Sequence, residues 1–487
     1  MKTDSQTQAR IFTGILKTAN FINGQWEEEG TGTLTVLDKY SQDVIANLPM
    51  ASADQMEKAI AGSVKAFEQL RTWSAGQRSE HLQRVHDLLD THREAFAELI
   101  VREAGKPISY AKNEVSRCLT TISLAASEAV RFGGEVVPID YGAGEGKTAF
   151  TKRFPIGPVA CITPFNFPGN LVLHKVAPAL AVGCPVVVKP ALQAPLTALA
   201  LAGLFERAGY PAGSVNVLVC DNEIAENLVT DPRMKMLSFT GSDKVGWYLK
   251  SKAGKKKVVL ELGGNASVIV DESADLPSTA KAVARGSYLY AGQVCISTQR
   301  IFVHEKVYDG FIGMLLPEIK SLWTGDPAEP DVAVGPIIDK GHLERIKLWV
   351  DEARGRGAEV LVGGNVVDEK HNLFEPTLIT NATDDMKVSC DEVFGPVATI
   401  EKVKDFSTAV QRANASRYGL QAGVFTNDLT NVKHAHEHLE VGGIMINNVP
   451  GFRIDSMPYG GVKDSGLGRE GLRYAMEEMT EGRLMVY

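Results

Sequence analysis

The hydrophobic pattern of the first third of the chain is that of amphipathic helices. Between residues 56 and 67 apolar side chains recur every three to four positions, and Ser52 with Gln55 forms a capping box just before them. The same periodicity predicts a second helix over 78–103 and a third within 108–131. Each helix has one apolar stripe, so we expect the three to pack against a core and to expose their charged faces.

A different alternation begins at residue 158, where short apolar strands alternate with helices. This order predicts doubly wound sheets, because buried parallel strands need helical crossovers between them. The first series predicts strands at 158–162, 185–188, 215–218 and 236–239 and helices at 169–182, 197–208, 224–230 and 244–253. The second predicts strands at 267–270, 300–303, 398–400 and 422–425 and helices near 275–291, 306–322, 340–357 and 405–415. The predicted fold class is therefore α/β, with two doubly wound parallel-sheet domains.

A small β element is predicted between the helical region and the first series. Strand-like pieces at 135–137 and 148–154 flank a glycine-rich turn at 142–146 and predict a protruding hairpin. Such a hairpin is either a subunit contact or a surface flap. The tail, 483–487, is also strand-like and could pair with the hairpin or with a neighbouring subunit. A shorter hairpin is predicted at 21–26, with Asn-Gly at its turn.

Composition narrows the possible classes of protein. A chain of 487 residues is too long for one hydrophobic core, so two or three domains are expected. With 51 basic and 59 acidic residues the net charge is -8, which argues against a nucleic-acid partner. The six cysteines are scattered, with no CxxC pair and no histidines at zinc spacing, so we expect no metal site and a reducing, cytoplasmic location. Residues 1 to about 20 are polar and expected to be loosely packed, and the chain has no signal-peptide core and no apolar run long enough to make a membrane a partner.

Three residues are candidates for chemistry at a carbonyl group. Cys295 follows a Gly-Gln-Val turn after an apolar helical run, and cysteine is the most nucleophilic side chain near neutral pH. Glu261, followed by two glycines, is a carboxylate that could activate a water. Asn166, at the end of the first strand, could donate its amide to an oxyanion together with the Cys295 backbone N–H. Taken singly, each residue also has a purely structural interpretation: Cys295 as a buried small hydrophobic residue, Glu261 as a glutamate in a surface turn, and Asn166 as a turn-forming asparagine.

Two further strand ends have the residues of a phosphate or ribose site. Gly241 and Ser242 lead from a strand into a helix, and Gly246 follows one turn later. Glycine lets the backbone approach a phosphate, and the helix N-terminus favours its charge. Lys189 stands at another strand end, where it suits a ribose or a 2′-phosphate, although many such lysines only face solvent.

Together these motifs resemble those of the NAD(P)-dependent aldehyde dehydrogenase superfamily. The resemblance extends from about Phe21 to Tyr487. The matching pieces are Pro164-Phe-Asn166, Lys189-Pro190, Phe239-Thr-Gly-Ser242, Leu260-Glu-Leu-Gly-Gly264, Gly292-Gln-Val-Cys295, Glu392-Val-Phe-Gly-Pro396, and Pro458-Tyr-Gly-Gly461 with Ser465-Gly466.

The resemblance implies a role for each motif. Cys295 would attack the aldehyde to give a thiohemiacetal, with Asn166 holding the oxyanion, and after hydride transfer Glu261 would activate the water that hydrolyses the thioester. Glu392 would bond the nicotinamide ribose with Phe394 packing nearby, while Lys189 would contact the adenosine ribose and Ser242 the pyrophosphate. The full set of cofactor-binding residues implied is Thr163, Pro164, Phe165, Lys189, Gly241, Ser242, Gly246, Leu262, Glu392 and Phe394.

The domain organisation and the cofactor follow from the same resemblance. The division expected is a dinucleotide-binding domain at 1–130 and 154–260, a catalytic domain at 261–447, and bridging elements at 131–153 and 470–487 that build a homodimer or homotetramer. Many NAD-preferring members carry a glutamate three residues after the lysine, where it would repel a 2′-phosphate, and this chain has Leu192 there. We therefore expect use of NADP or of both NADP and NAD.

The substrate is less defined. The segments 290–297 and 457–471 are most similar to the lactaldehyde, non-phosphorylating glyceraldehyde-3-phosphate and phosphonoacetaldehyde dehydrogenases. Arg117, His174 and Arg453 fall where members with anionic substrates carry basic residues, although each could instead form a structural salt bridge.

A single residue before the nucleophile narrows the expected substrate. Val294 stands where phosphate users often have arginine, so we expect a small aldehyde that is hydroxylated or has one anionic group. Two alternative functions are compatible with the same fold. One is a CoA-acylating enzyme, against which Glu261 argues. The other is a catalytically inactive binding or structural homologue, against which the intact Cys295, Glu261 and Asn166 argue.

Overall fold

Two large sheets with parallel centres form the framework of the chain. The computed structural model describes residues 16–487, so most of the segment expected to be loosely packed lies outside the described residues. In chain order the strands are β1 Asn20–Ile22, β2 Gln25–Glu27, β3 Gly32–Leu37, β4 Val44–Met50, β5 Val136–Val137, β6 Ala149–Pro155, β7 Val159–Ile162, β8 Val186–Lys189, β9 Val215–Val217, β10 Met236–Thr240, β11 Lys257–Glu261, β12 Ala266–Val270, β13 Thr298–His304, β14 Trp323–Thr324, β15 Val332–Val334, β16 Glu359–Val362, β17 Val366–Asp368, β18 Leu373–Phe374, β19 Thr377–Thr380, β20 Val397–Val403, β21 Tyr418–Gly419, β22 Gln421–Phe425, β23 Gly443–Ile446, β24 Val462–Lys463, β25 Gly466–Leu467 and β26 Thr480–Val486.

The first large sheet has eight strands in the order β2-β1-β9-β8-β7-β10-β11-β25. Its five central strands, β9 to β11 in that order, run parallel, and β1 and β25 close the two sides antiparallel. The four strands predicted for the first series are all in this parallel centre. The hairpin predicted at 21–26 forms β1 and β2, with Asn23 and Gly24 at positive φ in the turn.

The second large sheet has seven strands in the order β16-β19-β20-β13-β12-β22-β23. All but the edge strand β16 run parallel. The four strands predicted for the second series form the inner part of this sheet. Both sheets are covered by helices, which confirms the predicted α/β fold class. The exact division into domains at the expected boundaries stays a prediction.

A helix is found at each predicted place, but one predicted helix is two, the one predicted near 275–291 ends at Tyr288, and Lys387–Cys390, Leu429–His438 and Leu472–Glu478 were not predicted. The helices are Ala53–Leu70, Ala75–Thr91, Arg93–Ala104, Ile108–Ala129, Asn170–Val182, Leu196–Arg207, Asn222–Thr230, Asp243–Lys252, Leu276–Tyr288, Tyr308–Lys320, Lys340–Gly355, Lys387–Cys390, Phe406–Asn414, Leu429–His438 and Leu472–Glu478. The predicted capping box is present, since Ser52 and Gln55 each accept the other's backbone N–H. The single helix predicted over 78–103 is wrong: the backbone leaves helical geometry at His92, with φ -112° and ψ 16°.

A three-stranded sheet in the order β26-β6-β5 stands apart from the two large ones. The predicted hairpin supplies β5 and β6, and the tail pairs with β6 along its whole length, from Thr480 opposite Pro155 to Val486 opposite Ala149. Its apolar side chains at Val136 and Leu484 are exposed. Within residues 16–487 no helix is long and apolar enough to cross a membrane.

Candidate active site

A cavity of about 1160 Å³ opens at the carboxyl ends of β7, β8, β10 and β11, the edge at which doubly wound sheets bind ligands. The segments around Cys295 and Glu392 face it from the side of the second large sheet. The predicted residues on its wall are Cys295, Glu261, Asn166, Thr163, Pro164, Phe165, Lys189, Gly241, Ser242, Leu262, Glu392, Phe394 and Arg453. Gly246, Arg117 and His174 are not on the wall.

The backbone before the nucleophile is strained. The helix Leu276–Tyr288 ends in a short 3-10 turn in which Tyr290, Ala291 and Gly292 have φ of 53°, 53° and 66°. Only glycine fits at the third position, because a Cβ on Gly292 would lie 2.2 Å from the Gly395 carbonyl oxygen. Positive φ in a bulky residue costs about 1–3 kcal/mol and persists where the surrounding packing enforces it, often at functional sites.

Gln293 fixes the segment that leads to Cys295. Its side-chain oxygen accepts the Ile338 N–H at 2.9 Å, and its amide donates to the Pro336 carbonyl at 3.1 Å. Its own carbonyl accepts a hydrogen bond from the Asn166 side-chain amide at 2.9 Å. The loop after β7 and the nucleophile segment are therefore joined directly, and the second amide N–H of Asn166 stays available for a ligand.

The Cys295 thiol lies on the cavity wall, 3.1 Å from the Tyr459 hydroxyl. The side chain is partly exposed to the cavity, but the surrounding protein removes it from bulk water. This burial raises the pKa of the Cys295 thiol to about 11, and the hydrogen bond between Cys295 and Tyr459 opposes the rise. The thiol is therefore mostly protonated near neutral pH.

Glu261 ends β11 and is 3% exposed. Neither of its carboxylate oxygens has a hydrogen-bond partner among the described residues, an arrangement that a buried carboxylate adopts at a cost. Burial and the neighbouring Glu470 carboxylate raise the pKa of Glu261 well above its usual range. A Cβ on Gly460 would lie 2.9 Å from one of these oxygens, so glycine there leaves room for the carboxylate.

The two glycines after Glu261 bring Glu392 to the same wall. The Gly264 N–H donates to a Glu392 carboxylate oxygen at 2.8 Å, and a Cβ on Gly263 would lie 2.4 Å from the other oxygen. Burial raises the pKa of Glu392 to about 7, against the effect of the Gly264 hydrogen bond. Phe394, at φ 45°, packs edge-on against Phe165 with ring centres 5.7 Å apart.

The helix Asp243–Lys252 begins at the cavity with Ser242 as its N-cap residue. Gly246 lies one turn inside this helix and is a packing glycine, since a Cβ there would lie 2.3 Å from the Leu262 side chain. Glycine at this position lets Leu262 form the wall, and the predicted contact of Gly246 with the cofactor stays a prediction. Lys189, at the end of β8, is buried, which lowers its pKa.

The three predicted basic residues meet in one network, and each of them is bound to an acid. Arg117 contacts Asp455 at 2.6 Å and His174 contacts Asp455 at 2.8 Å. Although burial acts in the opposite direction, His174 and Arg117 hold the pKa of Asp455 well below its usual range. Arg453 bonds to His174 at 3.0 Å and to Glu470 at 3.3 Å. Arg453 is the one of the three on the cavity wall, and its buried Nε has no partner among the described residues.

Three site residues were missed in the sequence: Tyr459, Lys175 and Glu470. Lys175 is a buried cation in the otherwise apolar helix Asn170–Val182, and that mismatch was a usable signal. Tyr459 lies in a matched motif, but nothing local indicates that its hydroxyl reaches the nucleophile. Glu470 has no local signal at all.

Comparison with known proteins shows which family this chain resembles. The sequence profile of the aldehyde dehydrogenase family matches residues 26–485. The 3-sulfolactaldehyde dehydrogenase of Priestia aryabhattai is 44% identical over 96% of this chain and 97% of its own length. The crystal structure of aldehyde dehydrogenase 21 from Physcomitrella patens, in complex with the reaction product succinate, superposes with a TM-score of 0.93 at 41% identity, covering 97% of this chain and 98% of the other.

A second solved structure brings a bound cofactor into the comparison. Glyceraldehyde-3-phosphate dehydrogenase GapN from Methanocaldococcus jannaschii, complexed with NADP, superposes with a TM-score of 0.89 at 38% identity, covering 93% of this chain and 98% of the other. These matches span the predicted motifs and confirm the resemblance drawn from them. The chain belongs to the aldehyde dehydrogenase family.

Proposed function

We propose that this cavity oxidises a small aldehyde through a covalent bond to Cys295 and releases the acid with the help of Glu261. The chain is an NAD(P)-dependent aldehyde dehydrogenase, and its relatives support a small aldehyde that is hydroxylated or anionic. One observation carries the assignment of residues: Cys295, Asn166 and Glu261, which lie far apart in sequence, line one cavity.

The first step is attack of the Cys295 sulfur on the aldehyde carbon. The thiol loses its proton to water, the C–S bond forms, and the carbonyl oxygen becomes the oxyanion of a thiohemiacetal. The free amide N–H of Asn166 and the Cys295 backbone N–H are the donors available to that oxyanion. The strained turn before Cys295 and the anchoring of Gln293 hold the sulfur and the donors in fixed relative positions.

The cavity fits a nicotinamide dinucleotide beside a small aldehyde. Its volume suffices for both, and the N-terminus of the helix Asp243–Lys252 opens onto it. The buried Thr163 hydroxyl on its wall has no partner among the described residues and is free to bond a ligand. When bound, the cofactor supplies the hydride acceptor. Lys189 and Glu392 would hold its two riboses.

Glu261 is suited to hydrolysis of the resulting thioester. Its two oxygens are free to accept a hydrogen bond from water, and its raised pKa makes it a stronger base than an exposed glutamate. A thioester carbon bound to Cys295 would be the electrophile for that water.

For the cofactor we propose NADP, with NAD also accepted. Leu192 lines the cavity and carries no charge to repel a 2′-phosphate, and Lys189 on the same wall supplies a cation. The GapN relative was solved with NADP. Glu223 and Glu226 also line the cavity and would limit the preference.

For the substrate we propose an aldehyde with one anionic tail. Arg453 lines the cavity, and its buried Nε has no partner among residues 16–487, so an anionic group that reached this guanidinium would satisfy the donor. The relatives point the same way, since one is named for 3-sulfolactaldehyde and another was solved with succinate. Arg117 and His174 would act through Asp455, which fixes the loop that carries Arg453.

A homodimer or homotetramer is proposed from the three-stranded sheet. Its outer strand β26 exposes Leu484, Met485 and Val486, with exposed fractions of 57%, 52% and 45%. An open edge strand with apolar side chains is a natural surface for pairing with a second chain.

The substrate and cofactor are tested by a turnover screen at 340 nm. Phosphonoacetaldehyde, succinate semialdehyde, glyceraldehyde 3-phosphate, lactaldehyde and glycolaldehyde are each run with NAD and with NADP. We expect an anionic aldehyde with NADP to give the highest kcat/KM. The ratio of kcat/KM between anionic and neutral aldehydes should fall in Arg453→Ala and stay unchanged in Arg354→Ala, a control at an exposed arginine. A preference for neutral hydroxyaldehydes would mean that Arg453 is structural.

A further inference from the structure

The Tyr459 hydroxyl is directed at the nucleophile. Its oxygen lies 3.1 Å from the Cys295 sulfur, and no other side chain or backbone group within residues 16–487 hydrogen-bonds to it. The ring is 3% exposed and packs with Ile296 and Leu420. The backbone of Tyr459 is fixed too, because it exchanges two hydrogen bonds with Glu470, at 3.0 and 2.7 Å. The hydroxyl therefore has one partner and little freedom to turn elsewhere.

A cation lies over the same ring. The Arg453 guanidinium carbon is 3.5 Å from the centre of the Tyr459 ring, a close cation–π contact. Arg453 is held there by His174 and Glu470. A positive charge over the ring withdraws electron density from the phenol and makes its O–H a stronger hydrogen-bond donor.

We propose that Tyr459 is a further catalytic residue, whose hydroxyl donates a hydrogen bond to the Cys295 thiolate and so reduces the cost of ionising a buried thiol. Arg453 acts through the ring as a positioning residue. The inference rests on the proposed function of Cys295 as the nucleophile. Arg453 then has two roles: it binds the anionic tail of a substrate, and it acts on the Tyr459 ring whichever substrate is bound.

The phenol keeps its proton throughout. Burial raises the pKa of Tyr459 well above its usual value, so it stays protonated at any working pH. In the resting state the thiol proton can point to the phenol oxygen; when that proton leaves to water, the phenol O–H turns to the sulfur. The sulfur lone pair then forms the C–S bond, and the phenol keeps its own proton. In the thioester the sulfur carries no charge, so Tyr459 assists attack on the aldehyde and does not assist the addition of water to the thioester. The thiolate charge returns only when the C–S bond breaks and Cys295 leaves.

The test is the rate at which iodoacetamide alkylates Cys295, measured between pH 7 and pH 9.5 in the full-length chain without substrate. The thiolate displaces iodide, so the rate reports the thiolate fraction. Loss of a hydrogen bond to a charged group raises the thiol pKa by about one to two units in Tyr459→Phe. Because a more basic thiolate is also more nucleophilic, the rate at fixed pH should fall by only about three- to tenfold.

Tyr288→Phe is the matched control. Tyr288 is equally buried and loses one hydrogen bond to the Thr377 carbonyl, at 3.0 Å, but it does not contact Cys295. We expect its alkylation profile to coincide with that of the unmodified chain. An alkylation profile of Tyr459→Phe that also coincides with it, or one that Tyr288→Phe reproduces, would overturn the inference.

Two further measurements separate this inference from the proposed function. Alkylation should abolish aldehyde oxidation, and Cys295→Ala should remove the labelled site. If alkylated protein keeps its activity, Cys295 is not the nucleophile and both ideas fail. If alkylation abolishes activity while Tyr459→Phe alkylates at the normal rate, only the role of Tyr459 fails. The rate of thioester hydrolysis, followed after the burst of reduced cofactor, should fall less than the alkylation rate in Tyr459→Phe, because the thiolate charge returns only as the C–S bond breaks. A hydrolysis step slowed as much as attack would also overturn the inference.

Discussion

The buried ion pair of Lys175 and Glu470 lies next to the active site. The Lys175 ammonium donates to a Glu470 carboxylate oxygen at 2.7 Å, to the Thr240 hydroxyl at 2.7 Å and to the Ser238 hydroxyl at 3.1 Å. Both charged side chains are at most 2% exposed. Glu470 is also the carboxylate that raises the pKa of Glu261, so the same ion pair affects both the stability of the fold and the basicity of Glu261.

Lys175→Met removes the cation and leaves the Glu470 charge buried. At 2.7 Å and an effective dielectric constant near 20, the Coulomb attraction lost is about 6 kcal/mol. Part of this is recovered because the ammonium no longer has to be desolvated, and breaking buried pairs costs about 3–5 kcal/mol in practice. We therefore predict a loss of about 3–5 kcal/mol in the free energy of unfolding, a large share of a typical total of about 5–15 kcal/mol.

The assay is urea unfolding followed by circular dichroism at one fixed protein concentration. Glu470→Gln and the double variant Lys175→Met with Glu470→Gln complete a double-mutant cycle. The double variant should be more stable than Lys175→Met alone, because the buried side chain that has lost its closest cation no longer carries a charge. Lys252→Met is the control, since that lysine is exposed and its nearest carboxylate is 3.7 Å away; it should cost less than about 0.5 kcal/mol. A loss below about 1 kcal/mol in Lys175→Met, or a coupling energy near zero, would refute the reasoning.

Other predictions concern the nucleophile, the cofactor and assembly. Gly264→Ala would place a Cβ 2.4 Å from the Cys295 carbonyl oxygen, so turnover measured at 340 nm with saturating cofactor should fall about a hundredfold; turnover close to that of the unmodified chain would contradict this. Because burial holds the Cys295 pKa near 11 and the thiolate is the reactive form, kcat/KM should rise with pH from 6 to 9.5; a flat profile would contradict this. Glu392 has a pKa of about 7 and bonds ribose best as a carboxylate, so cofactor binding should tighten as pH rises through 7, and Glu392→Gln should remove that dependence. Leu484→Asp combined with Val486→Asp should lower the oligomer mass measured by light scattering; an unchanged mass would mean that β26 lies outside the subunit contact.

Elements with strong local signals could be predicted from the sequence. The hairpin at 21–26 has the one dipeptide that favours its turn, and the capping box at Ser52 fixes a helix start within one turn. The alternation of apolar strands and helices gave both parallel sheets, because a buried parallel strand must be apolar on both faces. The break at His92 was missed because neither glycine nor proline marks it.

Only the site residues that lie in sequence motifs could be predicted. Cys295, Asn166 and Glu261 stand in recognisable segments, and the structure brings all three to one cavity. The hydroxyl of Tyr459 and the partners of Arg117 depend on contacts between residues more than 160 and 330 positions apart, which no local pattern encodes.

The most direct test of the whole account is to trap the acyl group on Cys295. Glu261→Gln is mixed with a good aldehyde substrate and excess oxidised cofactor, quenched in acid during the burst of reduced cofactor, digested and analysed by mass spectrometry. The account predicts the acyl mass on the peptide that contains Cys295, in an amount equal to the burst, and none in Cys295→Ala. A full burst with no acyl group on that peptide would contradict the account, because the aldehyde would then have been oxidised without forming a thioester.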